Sequence, residues 1–266
     1  MKLNLVPART GVVWVKLGMR TFFKQPLALT GLFFMFMAVM TIASQIPFAG
    51  FVLAMMLLPA TTLGLMAATL EATQGRFPMP IVLLAAFRAD KQKARAMLLL
   101  GGLYALGFLV AMGGSWLVDG GDFARVYLGG ATPTREMMMA PDFQAAMWVF
   151  LGLHLPLSLL FWHAPALVYW HGLPPVKSLF FSIVACLRNF WAFTVFGLMW
   201  LSVLVMVVIS VTTVAALLGS PALAGDVLFP VLLLMAAMFF TSLYFTFRDS
   251  FEAPPEAAAP SKLPAE

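Results

Sequence analysis

The sequence predicts an all-α polytopic membrane protein with six transmembrane helices. Three observations predict it. The 266-residue chain is 62% hydrophobic and only 10% charged, against roughly 25% charged in an ordinary soluble domain. Six apolar stretches each run to about 20 residues or more, the length that crosses ~30 Å of hydrocarbon. Lysine and arginine fall almost entirely in alternate connections. Sixteen basic and eleven acidic side chains cannot build a polar shell for a globule of this size. A soluble enzyme, a disordered chain and a disulfide scaffold are therefore excluded, and the single cysteine, Cys186, offers no disulfide framework.

Residues 8–25 come first. At 100° per residue, Arg9, Lys16, Arg20 and Lys24 gather on one side and Val12, Val15, Met19 and Phe22 on the other. That is the pattern of an amphipathic helix lying in a membrane surface. The segment is too long and polar for a signal-peptide leader, so the first span, 27–46, is expected to be retained. Pro26 suits its first turn. Span two covers 48–70 and ends at Glu71. Pro59 interrupts it, followed by Thr61 and Thr62. That is either a hinge or a kink whose freed carbonyl a threonine re-satisfies.

A second surface helix is expected over 79–95, with Ile81, Leu84 and Ala85 set against Arg88 and Lys91. Span three follows at 96–118, where Gly101, Gly102, Gly107, Gly113 and Gly114 let helices approach closely. Span four, 143–170, carries Pro156 and Pro165. A third surface helix, 174–189, opens at Pro174 and Pro175 and sets Leu179, Phe180, Ile183 and Leu187 against Lys177 and Arg188. Spans five and six are 190–218 and 227–247, with Asp226 read as the N-cap of the last and Pro230 in its first turn. Residues 1–251 thus form one membrane domain, organised as three surface-helix-plus-hairpin units. Residues 252–266 are Pro/Ala/Glu-rich without apolar periodicity and are expected to be disordered.

Fourteen of the sixteen basic residues lie on one side of this arrangement; only Arg125 and Arg135 lie on the other. The asymmetry puts both termini in the cytoplasm. Anionic membrane lipid is the expected neighbour of the basic face, through Arg9, Lys16, Arg20, Lys24, Arg88, Lys91 and Arg188. A membrane-protein partner or a homo-oligomer is compatible with the same surfaces, and nucleic acid is not expected. The repeat has an echo in sequence: residues 23–30, FKQPLALT, align with 187–194, LRNFWAFT.

Several motifs carry a resemblance. Phe161-Trp162-His163-Ala164-Pro165-Ala166-Leu167-Val168 is followed by Gly172-Leu173-Pro174-Pro175, Ser178, Ser182 and Arg188-Asn189-Phe190-Trp191. This run resembles a segment of uncharacterised bacterial six-span membrane proteins. It is also similar to the membrane domain attached to some glycerophosphodiester phosphodiesterases. The opening Trp14, Gly18, Arg20, Phe22 and Gln25-Pro26 looks like the start of a proteobacterial inner-membrane family of unknown function. The resemblance implies a fold and an inner-membrane location, and no activity.

Intramembrane ionisable groups are functional candidates because burying them is costly. His154 lies mid-span, two residues before Pro156. It reads either as part of a proton or ion path or as a neutral imidazole hydrogen-bonded between helices. His163 and His171 are expected nearer the interface and more exposed, His163 making a structural hydrogen bond at a bent helix end. Glu71 either reaches cytoplasmic water or pairs with Arg76, and Pro59 is a candidate switch. No metal ligand set, phosphate loop or nucleophile–base constellation occurs. The expectation is a non-enzymatic protein without cofactor, acting in envelope or lipid homeostasis or as a membrane scaffold. The alternative is a transporter of a lipid or small hydrophobic solute through the proline-broken spans two and four.

Overall fold

Helices account for nearly all of the structure, a computed structural model that describes residues 2–88 and 90–251. Six of them are long and apolar enough to cross a membrane. The expected tail, 252–266, lies outside the described residues.

The first unit opens with α1 (Thr10–Lys24), followed by α2 (Pro26–Ser44) and α3 (Gly50–Thr73). The second opens with a 3-10 turn, Pro80–Leu84, running into α4 (Ala85–Arg88), and continues with α5 (Lys91–Asp119). Two short helices follow, α6 (Asp122–Tyr127) and α7 (Arg135–Met139). Then come α8 (Pro141–Phe161) and its continuation α9 (Ala164–His171). The third unit is α10 (Pro175–Arg188), α11 (Phe190–Leu217) and α12 (Pro221–Ser250).

One break separates each basic segment from its span. Gln25 stands between α1 and α2, and Asn189 between α10 and α11. The two residues are aligned in the sequence echo, and each ties a distant strand of chain. Gln25 Nε2 donates to the Arg76 carbonyl at 3.1 Å. Asn189 accepts from the Val6 amide at 2.9 Å and donates to the Asn4 carbonyl at 3.0 Å. The Asn4 amide donates to the Ser250 carbonyl at 2.9 Å, and Leu3 bridges Phe251. The two ends of the described chain are therefore joined at the basic face.

The second unit departs from the expected single surface helix over 79–95. Asp90 adopts an extended backbone and its carboxylate accepts the Lys93 amide at 2.7 Å, which starts α5 there. Residues 91–95 are consequently the first turn of span three. Phe48 also lies outside span two. It occupies the α2–α3 turn with φ +64° and is fully exposed. The last helix begins at Pro221, so Asp226 and Pro230 lie inside α12 and Asp226 does not cap it. Proline at a first helical position, where its missing N–H is no loss, accounts for the earlier start.

The surface helices are built into the bundle more tightly than amphipathicity alone suggests. α1 packs against α11 and α12 through Gly11, Trp14, Val15, Gly18, Thr21 and Phe22. A Cβ on Gly18 would lie 2.5 Å from that of Ser242, so only glycine permits this approach. Trp14 is wholly buried and donates Nε1 to Asp249 at 2.9 Å. α10 turns Ser178, Ser182, Ala185 and Cys186 inward and leaves Val176, Phe180 and Leu187 exposed. Its small residues face protein and its large apolar ones face outward.

In the membrane, α5 packs on both α3 and α8, and α3 packs on α2 and α12. Gly101 brings α5 against the backbone of α3, where an added Cβ would meet the Met56 carbonyl at 2.0 Å. α11 packs on α12 and α1 and has no extensive contact with α5 or α8. The six spans therefore form an open arrangement, with a recess where α3, α5, α8 and α12 converge.

Candidate functional site

The α8–α9 break sets the geometry of that recess. Pro156 lies within α8 without ending it; the break comes at Trp162 and His163. In an unbroken helix the His163 amide would bond the Leu159 carbonyl. Here Ser182 of α10 stands between them. Its Oγ accepts the His163 N–H at 2.9 Å and donates to the Leu159 carbonyl at 2.8 Å. A side chain inserted into the helical ladder is a recognised cause of a sharp kink. Pro165, two residues on, withholds a further N–H.

His163 is 0% exposed, where greater exposure was expected. Its hydrogen bond comes from the main chain; neither ring nitrogen has a partner. The ring lies among Phe193, Phe247 and Phe251, with centroids 5.4–6.0 Å away. Apolar surroundings of this kind suit a neutral imidazole. His171, half-buried at the end of α9, touches the same Phe247 and Phe251.

His154 makes no interhelical hydrogen bond. Its ring stacks on Phe150 at 5.1 Å and meets Phe108 edge-on at 5.8 Å. Its Nδ1 is buried without a partner. Phe123 and Tyr127 of α6 cover this aromatic cluster from the loop side. Asp119 fixes α6 by accepting the Gly121 and Phe123 amides at 2.8 and 2.6 Å. α6 is therefore a cap over the α5–α8 pair.

Pro59 lies inside α3, which continues unbroken past it where a hinge or kink was expected, and deprives the Met55 carbonyl of its usual donor. The neighbouring threonine does not restore that bond. Thr61 Oγ1 donates to the Leu57 and Leu58 carbonyls at 2.9 and 3.1 Å. Pro59 instead lines a cavity of about 220 Å³ together with Thr62, Tyr104, Ser158, Trp162 and Pro165. Pro59, inside the unbroken α3, and Pro165, beside the α8–α9 break, thus meet at one cavity, which His154 does not line.

A second cavity, about 460 Å³, opens at the basic face. Glu71, Arg76 and Arg88 line it beside Tyr169 and Trp170. The Arg76 amide donates to the Glu71 carbonyl, and the two side chains form no ion pair. Arg9, Lys16, Arg20, Lys24, Arg88, Lys91 and Arg188 are all exposed at this end. Interleaved with them are the exposed apolar side chains of Phe23, Leu27, Ile81, Leu84, Phe180 and Leu187. Such mixing of long cations with large hydrophobes suits the boundary between headgroups and acyl chains.

Sequence reasoning missed Ser182, Tyr104 and Ser158. The buried small-residue stripe of α10 was the readable signal for the first. Nothing local in sequence marks the other two, which reach the cavity from different helices.

A probable inner membrane protein of Burkholderia thailandensis is 36% identical to the chain over 267 residues, covering 99% of this chain and 98% of the relative. No protein-family model matches the chain. No solved structure matches it either.

Proposed function

We propose a function from one premise: the chain belongs to the family of that Burkholderia inner-membrane protein and is itself a multi-pass inner-membrane protein. Its role is non-enzymatic, in envelope or lipid homeostasis or as a scaffold for a membrane partner or a second copy of the chain. The basic face engages anionic phospholipid, and both termini lie in the cytoplasm. One observation carries this reading: the exposed belt of Arg9, Lys16, Arg20, Lys24, Arg88, Lys91 and Arg188 interleaved with exposed apolar side chains. A cation near an anionic surface contributes about 1 kcal/mol, so several together hold a headgroup layer firmly.

Replacing Arg9, Lys16, Arg20 and Lys24 together by glutamine tests the reading. These side chains are exposed, whereas the packing face of α1 is Gly11, Trp14, Val15, Gly18, Thr21 and Phe22, so the fold is spared. Native mass spectrometry should then record less retained phosphatidylglycerol and cardiolipin. Unchanged retention removes the lipid part of the proposal.

A second reading, transport of a lipid or small hydrophobic solute, is favoured by the meeting of Pro59 and the α8–α9 break at one cavity. Proteoliposomes carrying a fluorescent phospholipid test it. Transfer between leaflets no faster than in protein-free vesicles eliminates it.

A further inference from the structure

Serine and threonine hydroxyls in these spans mostly return to their own helix. Thr69, Thr194, Ser202, Ser210, Thr212 and Thr241 each donate to the carbonyl four residues back. The cavity lined by Pro59 and Pro165 is different. Thr62, Ser158 and Tyr104 all line it, and none of their hydroxyls has a hydrogen-bond partner among the described residues. Tyr104 is only 8% exposed. Its hydroxyl is nonetheless absent from the fully enclosed unpaired atoms, so it faces open space, and the open space beside it is this cavity. Tyr104 is buried and Thr62 and Ser158 are half-buried, but hydrocarbon offers no water to the side that stays open, so three hydroxyls without a partner around one space are the mark of a site completed by something else.

We propose that this cavity binds an uncharged acyl lipid, with its ester group facing the Thr62, Tyr104 and Ser158 hydroxyls, two of which its carbonyl accepts at a time, and the chain running out between α3, α5, α8 and α12. The chemistry of the lining selects that class. No lysine, arginine, aspartate, glutamate or histidine lines the cavity, so a charged head would be buried without a partner. Three hydroxyls supply donors, and a carbonyl supplies two lone pairs and needs no acceptor. The other lining side chains, such as Leu58, Trp162 and Phe240, offer apolar contact. The cavity, about 220 Å³ and open on one side, takes only the carbonyl and the first part of a chain. The rest lies in the recess left because α11 and α12 do not close on α5 and α8. The site is separate from the headgroup belt and requires no transport.

The test uses the full-length protein in nanodiscs and a photoreactive diazirine analogue of a long-chain fatty acid methyl ester. Cross-links mapped by mass spectrometry should concentrate on 58–62 and 158–165. Methyl palmitate should suppress them at concentrations where octadecane, which has the chain without the carbonyl, does not. The combined Thr62→Val, Tyr104→Phe and Ser158→Ala variant should need about tenfold more methyl palmitate for the same suppression. Tyr104→Phe alone, nearly isosteric, should show a smaller shift in the same direction and serves if the triple variant is unstable. Labelling spread evenly over the lipid-facing surfaces of α2 and α11 overturns the proposal. So does equal competition by octadecane, or a Tyr104→Phe variant that competes like the parent. Loss of anionic-lipid retention in the α1 glutamine variant leaves this site's labelling unchanged, so the two readings fail separately.

Discussion

Ser182 holds the His163 amide at 2.9 Å and so keeps α8 and α9 from closing into one helix. The same hydroxyl serves the Leu159 carbonyl, so one side chain satisfies both ends of the hydrogen bond it interrupts. Ser182→Ala leaves a buried donor and a buried acceptor without that bridge. Thermal unfolding in detergent should show a loss of about 1–3 kcal/mol. A melting temperature equal to the parent's means that the break is held by Pro165 alone.

His163 tests a different point. Its ring is wholly buried and neither nitrogen is bonded. His163→Phe removes two unpaired polar atoms while keeping a ring against Phe193, Phe247 and Phe251. It should unfold at the parent's temperature or above, whereas His163→Ala should lose about 2–4 kcal/mol through the cavity left behind. If both substitutions are equally damaging, the imidazole has a polar role that packing does not explain.

Close helix approach at Gly101 is equally specific. An alanine there puts a methyl group into the Met56 backbone, which has no flexible end to yield. Gly101→Ala should destabilise by about 1–3 kcal/mol or more. Gly102→Ala, next in sequence and facing open space, should be neutral or slightly stabilising through helix propensity. Parallel melting curves of the two variants make the comparison.

Burial pushes the Cys186 thiol up to about 12. At pH 8 the folded protein should therefore react slowly with N-ethylmaleimide, and quickly once unfolded in dodecyl sulfate. The sign of the linkage follows. The folded thiol binds its proton more tightly than the unfolded one, whose ordinary value is near 9. The stability this contributes is present below about pH 9 and is lost progressively as pH rises toward 12. Cys186→Ala should flatten that alkaline decline.

Phe48 offers a fifth test, since a bulky residue at φ +64° is strained by its Cβ. Phe48→Gly should relieve the turn by about 1 kcal/mol, and Phe48→Val should worsen it. Melting temperatures in detergent check both.

The spans were legible because lipid enforces a simple rule: a long apolar run must satisfy its own backbone as a helix. Span five was expected over 190–218 and ends one residue earlier. Boundaries were misread where a local cap overrode hydropathy, as at Asp90, or where a proline opened a helix early, as at Pro221. The amphipathic reading of α10 placed Phe180 and Leu187 on its apolar face but could not say what that face meets. Serines that look polar in sequence turn inward because they are small. The glycines were read correctly at Gly101, Gly107 and Gly114, while Gly102 and Gly113 approach nothing. The cavity was half legible. Pro59 and Pro165 signalled breaks, but only the fold brings them together with Tyr104.

The clasp of Leu3 and Asn4 on Phe251 and Ser250, with α1 seated under α11 and α12, bears on the order of biogenesis. Trp14 already finds Phe193 and Phe196 on α11, whereas its Asp249 partner and the clasp on Leu3 and Asn4 come only with the end of α12. The seat of α1 is therefore supplied in two instalments, an aromatic one from span five and a polar one from span six. A chain cut before α12 should keep the first and lose the second.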